Sequence, residues 1–132
     1  MIDVCCAVIS NTQGLIFVTQ RSARMSLPLC WEFPGGKLEK GESEEDCLKR
    51  ELKEELNIEV EIHERLGEFV HEYNEFSINL IAFDCTTAAS DQEIKLVEHA
   101  QFRWMRLEQL GELDWAAADL PVVALLQSMR RS

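Results

Sequence analysis

Residues 36–58 constrain the fold of this chain more than any other stretch: a glycine turn leads into a helix whose two ends are written in the sequence and whose carboxylates crowd the wrong one. Ser43 is a good N-cap, Asp46 stands three residues on in an approximate capping box, and Glu44 and Glu45 suit the positive end of the helix dipole. Cys47, Leu48, Leu52 and Leu56 supply a buried stripe, and Asn57 tolerates the left-handed conformation that stops a helix. Glu51, Glu54 and Glu55 sit three and four residues apart near the C-terminal end, where each pair repels by about 0.2–0.5 kcal/mol and the dipole adds to the cost. On the helical wheel Glu55 falls nearly in line with Leu48, while Glu51 and Glu54 flank Cys47. Carboxylates beside a buried stripe are desolvated and need a cation or a base, and a divalent cation is the natural candidate.

The segments around this helix read mostly as strands. Residues 4–9 form a nearly continuous apolar run, followed by the turn-like Asn11-Thr12-Gln13-Gly14 and the β-rich residues 15–19, the pattern of a hairpin. Residues 27–34 look irregular, with two prolines and the aromatic residues Trp31 and Phe33. After the helix, Ile58, Val60 and Ile62 alternate with Glu59, Glu61 and His63 as in a half-buried strand. Two further strands are expected around residues 67–73 and 76–85, joined at Asn74-Glu75, then a polar loop at 88–92 and a last short strand at 102–105. A closing helix follows, with Asp119 able to cap it, Pro121 in its first turn, and Val122, Val123, Leu125, Leu126 and Met129 on its apolar face. A sheet covered by helices on its faces is the expected architecture.

At 132 residues and 46% hydrophobic content, one domain with a single core is expected across 1–132. No apolar run approaches the roughly 18–20 residues that cross a bilayer, and the N-terminus lacks a signal-peptide pattern, so a cytoplasmic protein is expected. The five cysteines (Cys5, Cys6, Cys30, Cys47, Cys85) form no Cys-x-x-Cys pair and read as reduced core residues. His63, His71 and His99 show no metal-ligand spacing and suit surface or hydrogen-bonded roles. A net charge of −11 disfavours a nucleic-acid polymer as partner, whereas a small phosphorylated molecule arriving with Mg²⁺ needs only a local basic patch.

The spacing of Gly36, Glu42, Arg50-Glu51-Leu52, Glu54-Glu55 and Ile58 resembles the Nudix box, a motif of hydrolases that cleave nucleoside diphosphates linked to another group. Only Asn57 departs, where the family has glycine, and asparagine tolerates the same backbone. Outside the box, Phe17-Val18-Thr19-Gln20-Arg21, the run Trp31-Glu32-Phe33-Pro34-Gly35-Gly36-Lys37, and Ala118-Asp119-Leu120-Pro121-Val122 look like the MutT branch of that family and its CTP pyrophosphohydrolase-like members.

The resemblance implies a Nudix-type α/β/α sandwich with a mixed central sheet, the box helix and a C-terminal helix. It implies Mg²⁺, or Mn²⁺, held by Glu51, Glu54, Glu55 and the Gly35 carbonyl. Arg50 would fix a box glutamate, with an ordinary pair to Glu54 as the plainer alternative. Glu98 would be a further ligand or base, with Glu93 as its competitor. Arg21 and Lys37 would contact the triphosphate, and Asp119 the base. An ionised Asp119 only accepts hydrogen bonds, which suits the amine of cytosine or the N1 and N2 hydrogens of an oxidised guanine. Trp31, Phe76 and Ile78 are candidates for stacking surface or for core. The implied reaction converts a nucleoside triphosphate, of the CTP, dCTP or 8-oxo-dGTP type, to the monophosphate and diphosphate by attack of water, in a monomer or homodimer. Hydrolysis of ADP-ribose or dinucleoside polyphosphates, or a non-catalytic nucleotide sensor, are the alternatives.

Overall fold

In the computed structural model, which describes residues 1–129, the N-terminal apolar run is the central strand, β1 (Ile2–Ser10). Cys5, Ala7 and Ile9 enter one core, whereas Cys6 and Val8 enter another on the opposite face. A strand buried on both sides needs apolar residues at every position, which is why this one reads as a run rather than an alternation. Next to it, β6 (Ser77–Thr86) runs parallel in register from Ile2↔Ile78 to Ser10↔Thr86, and it divides in the same way, Ile81, Phe83 and Cys85 against Leu80 and Ala82.

The sheet is completed by β2 (Ile16–Gln20), β3 (Trp31–Glu32), β4 (Gly35–Lys37), β5 (Glu61–Glu72) and β7 (Gln101–Met105), in the order β3-β2-β1-β6-β5 with β4 paired to β1 and β7 to β2. Helix α1 (Glu44–Leu56) covers one face through Cys47, Leu48, Leu52 and Leu56. Helix α2 (Leu120–Met129) covers the other through Val122, Val123 and Leu126, helped by Leu110 of the 3-10 helix Leu107–Glu112. The result is the mixed three-layer sandwich expected. Both ends of α1 form as its sequence dictates: Ser43 Oγ accepts the Asp46 N–H at 3.1 Å, and Asn57 takes φ 56°, returning its N–H to the Lys53 carbonyl.

The structure corrects several local expectations. The hairpin of β1 and β2 is paired only at Ser10↔Ile16, beyond which the strands part and β4 takes the place beside β1. The alternating segment from Ile58 is not a strand of its own: Ile58 and Val60 precede the ladder, and residues 61–72 form one 12-residue strand with register shifts between Ile62 and Gly67. Ile58 is instead drawn into the core, 1% exposed, because the left-handed turn at Asn57 folds the chain back under α1. The region expected to be irregular contributes β3 and leads into β4, so the two glycines form a strand rather than a turn.

Asp119 does not cap α2. It ends a 3-10 helix, Ala117–Asp119, and its carboxylate accepts the Phe33 N–H at 2.9 Å. All five cysteines are free thiols and all but Cys30 are buried, as their apolar neighbours suggested.

Candidate active site

The glycines of β4 let two elements meet. Gly35 lies against the Cys5 carbonyl of β1, and Gly36 lies against the Glu51 carboxylate of α1, so that a Cβ on either would collide with its neighbour. Between them and the helix, Arg50 acts as a clasp. Its Nε and Nη2 grip Glu42 at 2.7 and 3.0 Å, its Nη1 reaches Glu51 at 2.8 Å, and Nη2 also donates to the Lys37 carbonyl at 3.3 Å. The contact with Glu54, at 3.5 Å, is the longest of its hydrogen bonds to carboxylates, so the plain i, i+4 pair is the lesser part of its role. The Arg50 guanidinium holds Glu42 down at about 2, with the Glu39 backbone contributing next. This bidentate bond to Glu42 locks the loop before α1 to the helix that carries the box glutamates.

The carboxylates are not equivalent. Glu54 is exposed, and Glu51 leans on Arg50 and Gly36. Glu55 and Glu98 line the same cavity of about 490 Å³, together with Gly35, Gly36 and Lys37. Burial raises the Glu55 carboxyl, and Glu98 adds to it, followed by Glu51 and Glu32. Glu93 does not compete for this place: its carboxylate is exposed and accepts from the Ser90 N–H and hydroxyl at 2.9 and 3.0 Å.

Among the described residues no three His, Cys, Asp or Glu side chains converge as a closed metal cage. The donors nevertheless fit a hard divalent cation. They are all oxygens, Glu98 and Glu51 set like charge around Glu55, and Glu55, Glu98 and Gly35 line a cavity from which water or substrate can complete the shell, whereas Glu51 and Glu54 lie outside its lining.

The same cavity is lined by Asp119, 5% exposed, and by Phe33, Tyr73, Phe76, Ile78, Ala116 and Ala118. Tyr73 Oη accepts the Ala118 N–H at 3.0 Å, and Tyr73 and Phe76 lie with ring centroids 5.2 Å apart. Phe76 and Ile78 therefore belong to the cavity wall, whereas Trp31 is core, packed in the α2-side cluster with Arg103 4.8 Å over its ring. Burial pushes Asp119 up to about 8 against the opposing pull of the Phe33 N–H. A carboxyl raised that far has its protonated form within reach near neutrality, and in that form Asp119 can donate as well as accept.

This carries a stability signature. A carboxyl whose folded pKa of about 8 exceeds its ordinary 3.8 favours the fold fully below pH 4 and loses that contribution as pH rises through 8. Asp119→Asn, which keeps an acceptor for Phe33, is expected to gain Tm over the parent chain, most at pH 8–9 and least at pH 5. Thermal melts across that range check it, and a gain independent of pH would contradict it.

Arg21 lines the cavity as expected, but its guanidinium is largely engaged. Nε donates to the Ser26 carbonyl at 2.7 Å, Nη2 to the Ser26 hydroxyl at 3.0 Å, and Nη1 to Glu32 at 2.8 Å. The loop it holds brings Met25, Ser26 and Leu27 to the cavity, with Leu27 and Leu29 in left-handed backbone at φ 50° and 63°. Leucine seldom adopts that region, so the loop stores strain. Glu32, His99 and Tyr73 were not singled out from sequence as site residues, although all three line the cavity. Glu32 stood in the run before the glycines and His99 next to Glu98, but nothing in their types distinguished them.

A NUDIX domain model matches residues 1–126. The chain is 32% identical over 130 residues to the CTP pyrophosphohydrolase of Escherichia coli K12, covering 98% of this chain and 94% of that protein. It is 30% identical over 128 residues to the 8-oxo-dGTP diphosphatase of the same organism, covering 97% and 98%. The crystal structure of a MutT protein from Methanosarcina mazei Go1 superposes with a TM-score of 0.84 at 28% identity, covering 98% of this chain and 93% of that one.

Proposed function

The chain belongs to the Nudix family, and from that footing we propose that it is a Mg²⁺-dependent nucleoside triphosphate pyrophosphohydrolase, releasing the monophosphate and pyrophosphate from CTP- or dCTP-type nucleotides or from 8-oxo-dGTP. One observation carries this reading: a single cavity is lined by the half-buried Glu55 and Gly35, the exposed Glu98 and Lys37, and the buried Asp119. Its volume of about 490 Å³ lies within the usual range for small-molecule sites. The names of the two Escherichia coli relatives agree with both candidate substrates.

In this reading Glu51, Glu54, Glu55, Glu98 and the Gly35 carbonyl hold the cation. When bound, it neutralises charge on the phosphoryl oxygens and makes a water more acidic. The chain's own groups do the rest. Glu55, whose proton affinity burial raises, takes the proton of the attacking water on its carboxylate. Arg50 keeps Glu51 in place. Lys37, exposed on β4 at the cavity, contacts phosphate oxygens, and Arg21 does so with the N–H groups its protein partners leave free. Phe76 and Ile78 bound the base. Asp119 reads its edge, the protonated carboxyl donating to an acceptor such as cytosine N3 or a guanine O6, which broadens what an ionised group alone would recognise.

The test is kcat/KM for CTP, dCTP, 5-methyl-dCTP, dGTP and 8-oxo-dGTP with pyrophosphate as readout. At least one of the cytidine or oxidised-guanine nucleotides is expected to exceed dGTP by about 10-fold or more, the discrimination that one buried polar contact supplies. Asp119→Ala should level the panel. Equal rates with the parent chain would remove Asp119 as the selector.

A further inference from the structure

Residues 98 and 99 are held in an unusual way. The chain is fixed on either side, by Val97 N–H to the Glu55 carbonyl at 3.3 Å and by Ala100 N–H to the Gln20 carbonyl at 2.9 Å, yet among the described residues neither Glu98 nor His99 makes a backbone–backbone hydrogen bond. The His99 side chain, 4% exposed, supplies the tether: its Nε2 lies 2.8 Å from Glu32 Oε2. The other ring nitrogen, Nδ1, is buried with no hydrogen-bond partner, so Glu32 anchors the ring's polarity alone.

The second oxygen of Glu32 faces the opposite way. Oε1 accepts Arg21 Nη1 at 2.8 Å, and Arg21 in turn holds Ser26 by both its carbonyl and its hydroxyl. Glu32 itself sits on the sheet, paired with Thr19 of β2, whose hydroxyl donates to the Glu32 carbonyl at 3.1 Å. A single carboxylate with a rigid backbone thus joins the loop over the cavity to the segment that presents Glu98. A ligand that draws on the Arg21 guanidinium changes what Glu32 feels, and so bears on the His99 anchor.

We propose that Glu32 is a positioning residue that couples nucleotide binding to turnover, one oxygen setting Arg21 and the cavity loop and the other setting Glu98 through His99. The proposal rests on the reading of Arg21 as a phosphate contact and Glu98 as a working carboxylate. Two arms follow from it. Arg21→Lys, which keeps charge but loses the planar fork, should act mainly on binding, and His99→Asn mainly on kcat.

The experiment measures kcat and KM together with the Kd of an α,β-methylene triphosphate analogue by calorimetry, for both variants singly and combined, in the parent chain and in Glu32→Ala. Glu32→Ala is expected to weaken the analogue and lower kcat, each by about 10-fold. With Glu32 present, the Arg21 and His99 substitutions should be non-additive in kcat/KM by about threefold or more, and in Glu32→Ala they should become additive. Should Glu32→Ala fold poorly, Glu32→Gln keeps the volume but offers one acceptor oxygen in place of two, and the non-additivity must fall there as well. Additivity in the parent chain, or a Glu32→Ala that lowers Tm while kcat and Kd stay unchanged, would overturn the coupling. That failure is distinct from failure of the site reading. With Glu55→Gln inactive, only the coupling falls, whereas full activity in Glu55→Gln would remove both.

Discussion

Glu55→Gln is expected to melt no lower than the parent chain while turning over substrate about 10²–10⁴-fold more slowly. The two halves of this result have one cause. Glu55 is held beside a buried stripe, and burial raises its carboxyl, with Glu98, Glu51 and Glu32 adding like charge. An ionised group in that setting is a cost to the fold, and the amide removes the charge at the same shape. The sign follows from linkage: a raised carboxyl pKa means that stability falls as pH climbs through it, so the neutral variant gains more on the alkaline side than on the acid side. Catalysis needs the very charge that the fold resists. Melting curves and single-turnover kinetics on one preparation check both halves, and an active variant or a destabilised one would each break the argument.

Gly36→Ala is the second large effect, and its companion Gly35→Ala separates chemistry from folding. A methyl at Gly36 would strike the Glu51 side chain, which is flexible and can swing away, but only by leaving the position in which Arg50 holds it. The expected outcome is a folded protein with kcat/KM down by about 10²-fold, the usual consequence of a misplaced group in a positioned site. A methyl at Gly35 meets the Cys5 carbonyl instead, which is backbone of the central strand and cannot turn aside. There the β1–β4 pairing must open, and the loss should appear in Tm, by roughly 1–3 kcal/mol of stability or more. Circular dichroism melts beside steady-state kinetics distinguish the two. If Gly36→Ala kept activity, the assignment of Glu51 to the working site would have to go.

The contrast between these glycines shows what could be read ahead of the structure. The box helix was legible to the residue, because Ser43 and Asn57 are local signals and the apolar stripe has one period. So was the three-layer plan, since strands buried on both faces betray themselves as unbroken apolar runs. The failures came where long-range pairing outweighed local pattern. Ile58 alternates like a strand residue, but the turn at Asn57 aims it into the core under α1, and the ladder starts three residues later at Glu61. Asp119 looks like a helix cap, yet its carboxylate is taken by the Phe33 N–H, 86 residues away in sequence. Glu32 and His99 join across 67 residues, a contact that no spacing rule announces. Glu98 and Glu93 look alike in sequence, and only their surroundings differ: Glu98 lines the cavity, whereas Glu93 accepts from Ser90.

The central claim is that Glu55 and Glu98 of the cavity, working with a divalent cation, cut between phosphates of a nucleoside triphosphate. The most direct measurement follows both products from CTP and from 8-oxo-dGTP by ³¹P NMR, with Mg²⁺, after chelation, and after Mg²⁺ is restored. The account predicts monophosphate and pyrophosphate in equal amounts, no reaction in the chelated sample, and recovery on adding Mg²⁺ back. Release of orthophosphate with a nucleoside diphosphate, or hydrolysis that persists without the cation, would contradict it.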